Sequence, residues 1–309
     1  WPLQVDTNFS NLYKGVYDKG YEHIKNLRIQ NLINKNIIEN DSDYINKNFL
    51  SKWESLSDFE KKVESKKMEI YAGMIANLDF NIGRIISYLR ETNKLENTVI
   101  VFMSDNGAAG EDFYFNSTYG DYIKDKFSYD YEIMGLPESF ISLGKNWADV
   151  ITNPFKKYKG FTNSGGMRSP FLIYGLENKS ITISDEFITV LDVAPTIYDI
   201  VDIDNSFSIG ESFIPYLRQE KDFVHDDDYV FSFEHSGNSV LVKGEWKLVN
   251  NSVPFDKNKF QLYSLSDISE RKNLSEENND VYRLMLDEWD KFYRSKKIIL
   301  PTPYKDNLN

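Results

Sequence analysis

Two oxygen-bearing side chains stand next to each other where an apolar run ends. Residues 98–103 are β-branched or apolar, and Asp105 and Asn106 follow one residue later. Such a run predicts a strand buried on both faces, as in a parallel sheet flanked by helices. Ligands of open α/β sheets lie at the carboxyl ends of the strands. Because carboxylate and amide oxygens suit a hard divalent cation, the pair is a candidate metal site.

The same residues also favour a simple turn. Asp, Asn and Gly are common turn formers, and Gly107 directly follows the pair. The tetrapeptide alone therefore leaves both interpretations open and favours the turn.

A second stretch combines positive charge with glycine. Residues 142–168 contain five cationic side chains and a single acid, Asp149, in a chain of formal net charge −12. The cationic residues are Lys145, Lys156, Lys157, Lys159 and Arg168. Glycine follows Lys159 and recurs at Gly165-Gly166, where backbone can approach a ligand closely. The stretch is a candidate anion site, and a solvated loop is the alternative.

The composition excludes several classes of function. The chain has 309 residues, 41% of them apolar, which suits one large domain with a smaller unit. It contains no cysteine, so disulfides, thiolate metal sites and a cysteine nucleophile are excluded within these residues. The net charge of −12 argues against general nucleic-acid binding. No run of about eighteen apolar residues occurs, so we expect no membrane span.

The periodicity predicts helices before and after the strand at residues 98–103. Ser57 and Glu60 form a capping box, and apolar residues at helical spacing continue to Thr92. Residues 108–167 lack periodicity and predict a long irregular stretch. A short strand is predicted at residues 170–174 and a helix at 188–201.

The pattern changes near residue 226. Four short strands separated by turn residues predict an antiparallel meander, at Tyr229–Glu234, Ser239–Val242, Trp246–Val249 and Phe260–Leu265. A helix near residues 276–296 follows. We therefore expect a main domain at 1–225 and a small subdomain at 226–309.

The motifs, taken in order, resemble the second half of a type I arylsulfatase. They are Trp1-Pro2-Leu3-Gln4, Ser104-Asp105-Asn106-Gly107, Tyr158-Lys159-Gly160, Gly165-Gly166-Met167-Arg168, Asp192-Val193-Ala194-Pro195-Thr196 and Lys243-Gly244-Glu245-Trp246. Each motif is weak alone, but the resemblance extends over nearly the whole chain.

The resemblance implies an alkaline-phosphatase-like α/β fold. Its mixed, mainly parallel sheet flanked by helices would be incomplete here, and a small C-terminal antiparallel sheet with one long helix would follow. It also implies hydrolysis of sulfate esters on a sulfated small molecule or sugar, with one Ca²⁺ and a formylglycine nucleophile. Asp105 and Asn106 match metal ligands of the family, and Lys159 matches the lysine that holds the sulfate. The family suggests a periplasmic or secreted location.

The chain departs from the family pattern in four places. The nucleophile motif Cys/Ser-x-Pro-x-Arg is absent, as are two metal-binding aspartates of the family's first strand. The family's histidine precedes the segment that begins at Trp1, and Ser164 stands where the family often has Glu. We therefore expect a fragment or processed product that carries part of an active site and is inactive alone.

Two further functions stay open. A phosphodiesterase or phosphonate monoester hydrolase of the same superfamily is one, and a non-catalytic anion-binding member is the other. Asn106 favours a single hard cation over a two-zinc site, where histidine is expected. Of the histidines, we expect His225 in a solvated turn and a structural role for His235.

Overall fold

A computed structural model describes residues 1–39, 53–115, 118–176, 183–204 and 208–300. The α-helices of these residues are α1 (Thr7–Ser10), α2 (Gly20–Asn34), α3 (Asp58–Glu91), α4 (Gly120–Lys126), α5 (Lys145–Thr152), α6 (Ser164–Met167), α7 (Val193–Ile200), α8 (Ile214–Leu217) and α9 (Asn279–Ser295). The strands are β1 (Ile100–Met103), β2 (Phe171–Tyr174), β3 (Val230–His235), β4 (Asn238–Lys243), β5 (Trp246–Asn250) and β6 (Gln261–Ser264). None of the helices in this described part is long and apolar enough to cross a membrane.

The chain divides into two compact units. Unit 1 takes its described residues from Trp1–Thr98, Phe102–Leu172 and Ile268–Arg271. Unit 2 takes its described residues from Val99–Val101, Ile173–Asp267 and the segment that begins at Lys272. The boundary at residue 225 stays a prediction from the sequence.

Helix α3 begins at the predicted capping box. The Ser57 hydroxyl accepts the Glu60 N–H at 3.3 Å, and the Glu60 carboxylate accepts the Ser57 N–H at 2.7 Å. Both bonds satisfy donors that a helix start leaves unpaired. The periodicity predicts one long helix or two in line, and the structure has one helix of 34 residues.

Helix α5 carries the centre of the unit 1 core and was missed by periodicity. Trp147 is 0% exposed, and its ring meets Tyr21 edge to face at 4.8 Å. Its indole N–H donates to the Glu64 carbonyl at 3.0 Å, which satisfies the buried donor. The prediction that residues 108–167 are irregular is therefore wrong at α5, and also at α4 and α6. The apolar residues Trp147, Val150 and Ile151 of α5 have helical spacing, but they lie within a stretch rich in Gly, Asn, Tyr and Lys, which is typical of a loop.

The first strand is less buried than its composition predicts. Within the described residues β1 and β2 form a sheet of two strands. Met103 of β1 is 43% exposed, and Leu172 and Tyr174 of β2 are 58% and 53% exposed. The expectation that both faces of β1 are buried is wrong for these residues, because a sheet of two strands covers few of its own side chains.

Unit 2 contains the predicted meander. Strands β3, β4, β5 and β6 pair antiparallel in that order. Gly244 lies in the tight turn between β4 and β5 with φ of +52°, a conformation that glycine adopts without strain. Leu241, Leu248 and Trp289 of α9 are nearly fully buried in one cluster, so α9 packs on the sheet as predicted.

Candidate active site

The Asp105-Asn106 turn begins where β1 ends, and two hydrogen bonds fix that end. The Ser104 N–H donates to the Pro170 carbonyl at 3.2 Å, and the Ser169 hydroxyl donates to the Ser104 carbonyl at 2.8 Å. The turn itself is closed by its own side chains. Asp105 Oδ1 accepts the Asn106 N–H at 3.0 Å, and Asn106 Nδ2 donates to the Gly107 carbonyl at 2.8 Å.

This hydrogen bonding decides which oxygens are left for a ligand. Because Asn106 uses its amide nitrogen toward Gly107, its Oδ1 atom remains an acceptor, as does Asp105 Oδ2. Asp105 is exposed and Asn106 is half-buried. Two oxygens of this kind suit a hard cation. The turn and the metal site are therefore compatible interpretations of the same residues.

Lys159 projects from a loop that is bonded to this turn. The Lys159 backbone N–H donates to the Ala108 carbonyl at 2.9 Å, and the Gly107 N–H donates to the Gly166 carbonyl at 3.0 Å. The two candidate stretches of the sequence, one around Asp105 and one around Lys159, thus lie together in unit 1.

Glycine makes this close approach possible. A Cβ atom on Gly107 would overlap the Gly165 carbonyl oxygen, one on Gly165 would overlap the Lys157 carbonyl, and one on Gly166 would overlap the Phe161 carbonyl. The three positions therefore exclude any side chain while the loops keep this contact.

The Lys159 side chain is partly screened by an acid and an aromatic ring. Its ammonium Nζ lies 3.6 Å from Glu111 Oε1 and 4.4 Å from the centre of the Trp1 ring. The side chain is about one-third exposed, so the ion pair with Glu111 is screened by water and weak. Trp1 meets Phe113 edge to face at 4.6 Å.

Three of the other cations of the basic stretch contact groups of their own. Lys156 Nζ donates to the Glu270 carbonyl at 3.1 Å. Lys157 lies over the Phe161 ring at 4.9 Å, and Arg168 lies over the Phe155 ring at 5.0 Å. Asp149 of the same stretch is half-buried, and this burial raises its pKa, against the lowering effect of Lys25 and Lys157. Lys159 is therefore kept as the candidate cation of the anion site.

Three residues that the sequence did not single out contribute to this site. They are Trp1 and Glu111, which lie beside the Lys159 ammonium, and Glu270, which binds the start of α6. Glu270 is 1% exposed and accepts hydrogen bonds from Ser164 and Asn163. No local signal identifies it, because it is more than a hundred residues away in sequence from the side chains it binds.

A comparison with known families identifies the family of the chain. The sulfatase family model matches residues 1–203. The chain belongs to the sulfatase family. An uncharacterised sulfatase of Schizosaccharomyces pombe is 33% identical over 94% of this chain and 55% of its own length. An arylsulfatase of Klebsiella aerogenes is 35% identical over 68% of this chain and 46% of its own length.

A solved structure supports the sulfatase fold. The crystal structure of Ps i-CgsB superposes with a TM-score of 0.57 at 19% identity, over 94% of this chain and 47% of that chain. The sulfatase chain thus spans about half the length of the curated relatives that it matches. The predicted family and fold class are confirmed.

Asp105 and Asn106 fit a metal as part of a larger ligand set. Calcium takes six to eight oxygen ligands, and the turn offers two side chains. Among the described residues no group of three or more His, Cys, Asp or Glu side chains could hold a metal. The donor chemistry fits a hard cation that takes further ligands besides this pair.

The expectation for His225 is wrong. Its side chain is 4% exposed rather than solvated, since Nε2 lies 3.0 Å from Asp192 Oδ2 and the ring stacks on Tyr229 at 3.7 Å. The side chain belongs to a polar network of unit 2. His235 is exposed at the end of β3 and stacks on Phe233 at 6.5 Å.

Proposed function

We propose that the sulfatase chain forms part of the active site of a sulfuric ester hydrolase. The observation that carries the proposal is the backbone bond from Lys159 to Ala108, together with the bond from Gly107 to Gly166. These backbone bonds join the segment that carries Lys159 to the segment that carries Asp105 and Asn106, which supports a shared site. A sulfate ester needs both chemistries, since its sulfuryl oxygens and its leaving oxygen carry negative charge in the transition state.

Lys159 acts on the leaving group in this proposal. Its ammonium stabilises the negative charge that develops on the ester oxygen as the S–O bond breaks. In the structure the ammonium lies 3.6 Å from Glu111 Oε1 and 4.4 Å from the centre of the Trp1 ring. The anionic sulfate group then competes with Glu111 for the same charge.

Asp105 and Asn106 would hold one Ca²⁺ through Asp105 Oδ2 and Asn106 Oδ1. When bound, this ion stabilises charge on the sulfuryl oxygens. The hydrogen bonds within the turn keep the two acceptors oriented. Support for calcium comes from the hard oxygen donors and from the family resemblance.

The nucleophile lies outside these 309 residues in this proposal. The chain contains no cysteine and no Ser-x-Pro-x-Arg motif from which the family's formylglycine is made. We therefore expect no turnover by the chain alone. We call this chain, together with the region that carries the nucleophile, the complete enzyme. Membership of the sulfatase family favours a periplasmic or secreted location.

The aromatic side chains of this region favour a substrate that contains an aryl or sugar ring. Trp1 and Phe113 are in edge-to-face contact, and Tyr114, Phe115 and Tyr129 form a second aromatic cluster in unit 1. Aryl and sugar rings stack on such surfaces. The group that is bonded to the ester oxygen is therefore proposed to be an aryl or sugar ring.

A comparison of substrates tests the proposal. We expect the complete enzyme to hydrolyse an aryl sulfate faster than the matching aryl phosphate diester or phosphonate monoester. A higher kcat/KM for the phosphonate ester would favour the alternative hydrolase. Absence of turnover on all three, with retained binding of inorganic sulfate, would favour a non-catalytic anion-binding protein.

A further inference from the structure

We infer that Glu270 is a positioning residue for Lys159, and that its buried carboxylate holds the loop from which Lys159 projects. The inference rests on the proposed role of Lys159 in sulfate-ester hydrolysis. Residues 268–271 belong to unit 1 although their neighbours in sequence belong to unit 2. This short segment therefore reaches the loop from a distant part of the chain.

The carboxylate of Glu270 binds the start of α6. Oε1 accepts the Ser164 backbone N–H at 2.8 Å and the Ser164 hydroxyl at 2.8 Å. Oε2 accepts a hydrogen bond from the Asn163 side-chain amide. Hydrogen bonds to an ionised carboxylate are shorter and stronger than those between neutral groups.

The backbone conformation of Glu270 is itself unusual. Its φ of +49° lies in the left-handed region, which costs a non-glycine residue free energy. Such a conformation persists only where surrounding contacts fix it. The Lys156 ammonium, which donates to the Glu270 carbonyl at 3.1 Å, ties the same residue to the loop a second time.

The bonds continue from α6 to Lys159. The Gly165 N–H donates to the Lys156 carbonyl at 2.9 Å, and the Gly166 carbonyl accepts the Gly107 N–H. The start of α6 is therefore bonded both to the loop before Lys159 and to the turn of Asp105. Movement of Ser164 away from Glu270 would shift both.

These hydrogen bonds need the carboxylate of Glu270, with two accepting oxygens, and not only a side chain of the same shape. Ser164 and Asn163 present donors to both carboxylate oxygens. A glutamine has the same shape, but it would place an amide N–H₂ against one of these donors. Glu270→Gln therefore keeps the volume and breaks the network.

Hydrogen exchange on the 309-residue chain tests the inference without any turnover. We expect Glu270→Gln to accelerate exchange about tenfold or more in peptides that cover residues 156–168, with α2 and α3 unchanged. Glu277→Gln is the matched control, because Glu277 is exposed and pairs with Lys272. Unchanged exchange at 156–168, or an equal acceleration across all of unit 1, would overturn the inference.

Ser164→Ala covers the case in which Glu270→Gln does not fold. It removes the hydroxyl donor and keeps the backbone bond to Glu270, so the fold is retained. We expect exchange about threefold faster in the same peptides. No acceleration there would contradict the role of Glu270.

Kinetics of the complete enzyme separates positioning from simple structural support. We expect Glu270→Gln to lower kcat about tenfold or more while KM stays within about threefold, because the lysine contact strengthens in the transition state. In a Lys159→Ala background Glu270→Gln should change kcat less than about twofold. A further full loss in that background would overturn the inference. Absence of turnover by the unmutated enzyme would instead refute the proposed function, and the exchange result would still decide the role of Glu270 in holding the loop.

Discussion

The backbone N–H of Lys159 donates to the carbonyl of Ala108 at 2.9 Å. This bond joins the loop that carries Lys159 to the residue that follows the Asp105-Asn106-Gly107 turn. It is a backbone bond, so Lys159→Ala leaves it in place. Asp105→Ala also leaves it in place, but it removes the acceptor of the Asn106 N–H, which helps to close the turn.

Replacement of Lys159 by alanine should reduce turnover while the fold is kept. The ammonium is about one-third exposed and its ion pair with Glu111 is weak, so stability should change little. Loss of a charge aimed at the leaving oxygen should lower kcat by roughly 10²–10³-fold in the complete enzyme. Aryl sulfate hydrolysis measures this effect. Lys157→Ala is the control, since Lys157 lies over Phe161, and equal losses in both variants would contradict the role of Lys159.

Replacement of Asp105 by alanine should abolish calcium binding in the complete enzyme. The substitution removes the carboxylate, which is the charged one of the two oxygen-bearing side chains in the turn. Calcium affinity depends on the number of charged ligands. Titration calorimetry with Ca²⁺ gives the Kd directly. The control is Asp121→Ala. Asp121 is exposed in the first turn of α4, so its replacement should leave the Kd unchanged. An unaltered Kd in the Asp105 variant would remove this residue from the metal site.

A methyl group on Gly107 should separate the two loops. It would overlap the Gly165 carbonyl, so Gly107→Ala should destabilise unit 1 by roughly 1–3 kcal/mol. Gly83 in α3 offers a matched control, because no atom lies within 4 Å of a Cβ placed there. Gly83→Ala should stabilise the helix by roughly 0.5–1 kcal/mol. Chemical denaturation of both variants checks the opposite signs, and equal effects would contradict the close packing of the loops.

The sequence predicts local elements here better than it predicts long-range contacts. The capping box at Ser57 and the meander from β3 to β6 follow from short patterns, and both are present. Helix α5 is not predicted because its few apolar positions lie within a stretch rich in Gly, Asn, Tyr and Lys, which is typical of a loop. The burial of β1 is overestimated from its sequence. Apolar residues indicate that a strand favours a buried position, but they do not show which helices or strands cover it.

The candidate site was predictable to a similar degree. Asp105, Asn106 and Lys159 were identified from residue types and motif order, and their roles stay predictions. Glu111 and Glu270 could not be found in this way, since each contacts its partner across a large sequence separation. His225 was assigned to a solvated turn because three aspartates follow it, whereas Asp192 draws its ring into a buried network.

Removal of the negative charge on Glu111 should strengthen the binding of sulfate. Glu111 Oε1 lies 3.6 Å from the Lys159 ammonium, and its Oε2 is buried without a hydrogen-bond partner among the described residues. Glu111→Gln removes a like charge beside the incoming anion. We expect the Kd for inorganic sulfate to fall about twofold to fivefold, as salt screens a partly exposed pair. Titration at two salt concentrations measures this change, and Asp112→Asn in the same loop is a neighbouring control. A weaker affinity would indicate that Glu111 instead holds Lys159 in its binding position.

The stability of unit 2 should depend on pH through Asp192. Burial alone raises the pKa of this carboxyl, but hydrogen bonds from His225, Glu211 and Thr189 outweigh burial and lower the pKa below its ordinary value. Asp192 is 0% exposed and His225 Nδ1 lies 4.0 Å from Glu211. A carboxyl whose pKa is lower in the folded state stabilises the fold above its unfolded pKa of about 3.9. That stabilisation is lost as the pH falls through the folded pKa.

Asp192→Asn should therefore lower the free energy of unfolding at pH 7 and reduce its loss between pH 5 and pH 2. Urea denaturation followed by circular dichroism at several pH values measures both quantities. Asp227→Asn, an exposed substitution close in sequence to His225, is the matched control and should keep the pH dependence of the unmutated chain. An unchanged slope in the Asp192 variant would show that the acid sensitivity arises from other carboxyl groups, because only a group whose pKa differs between folded and unfolded states can link protonation to stability.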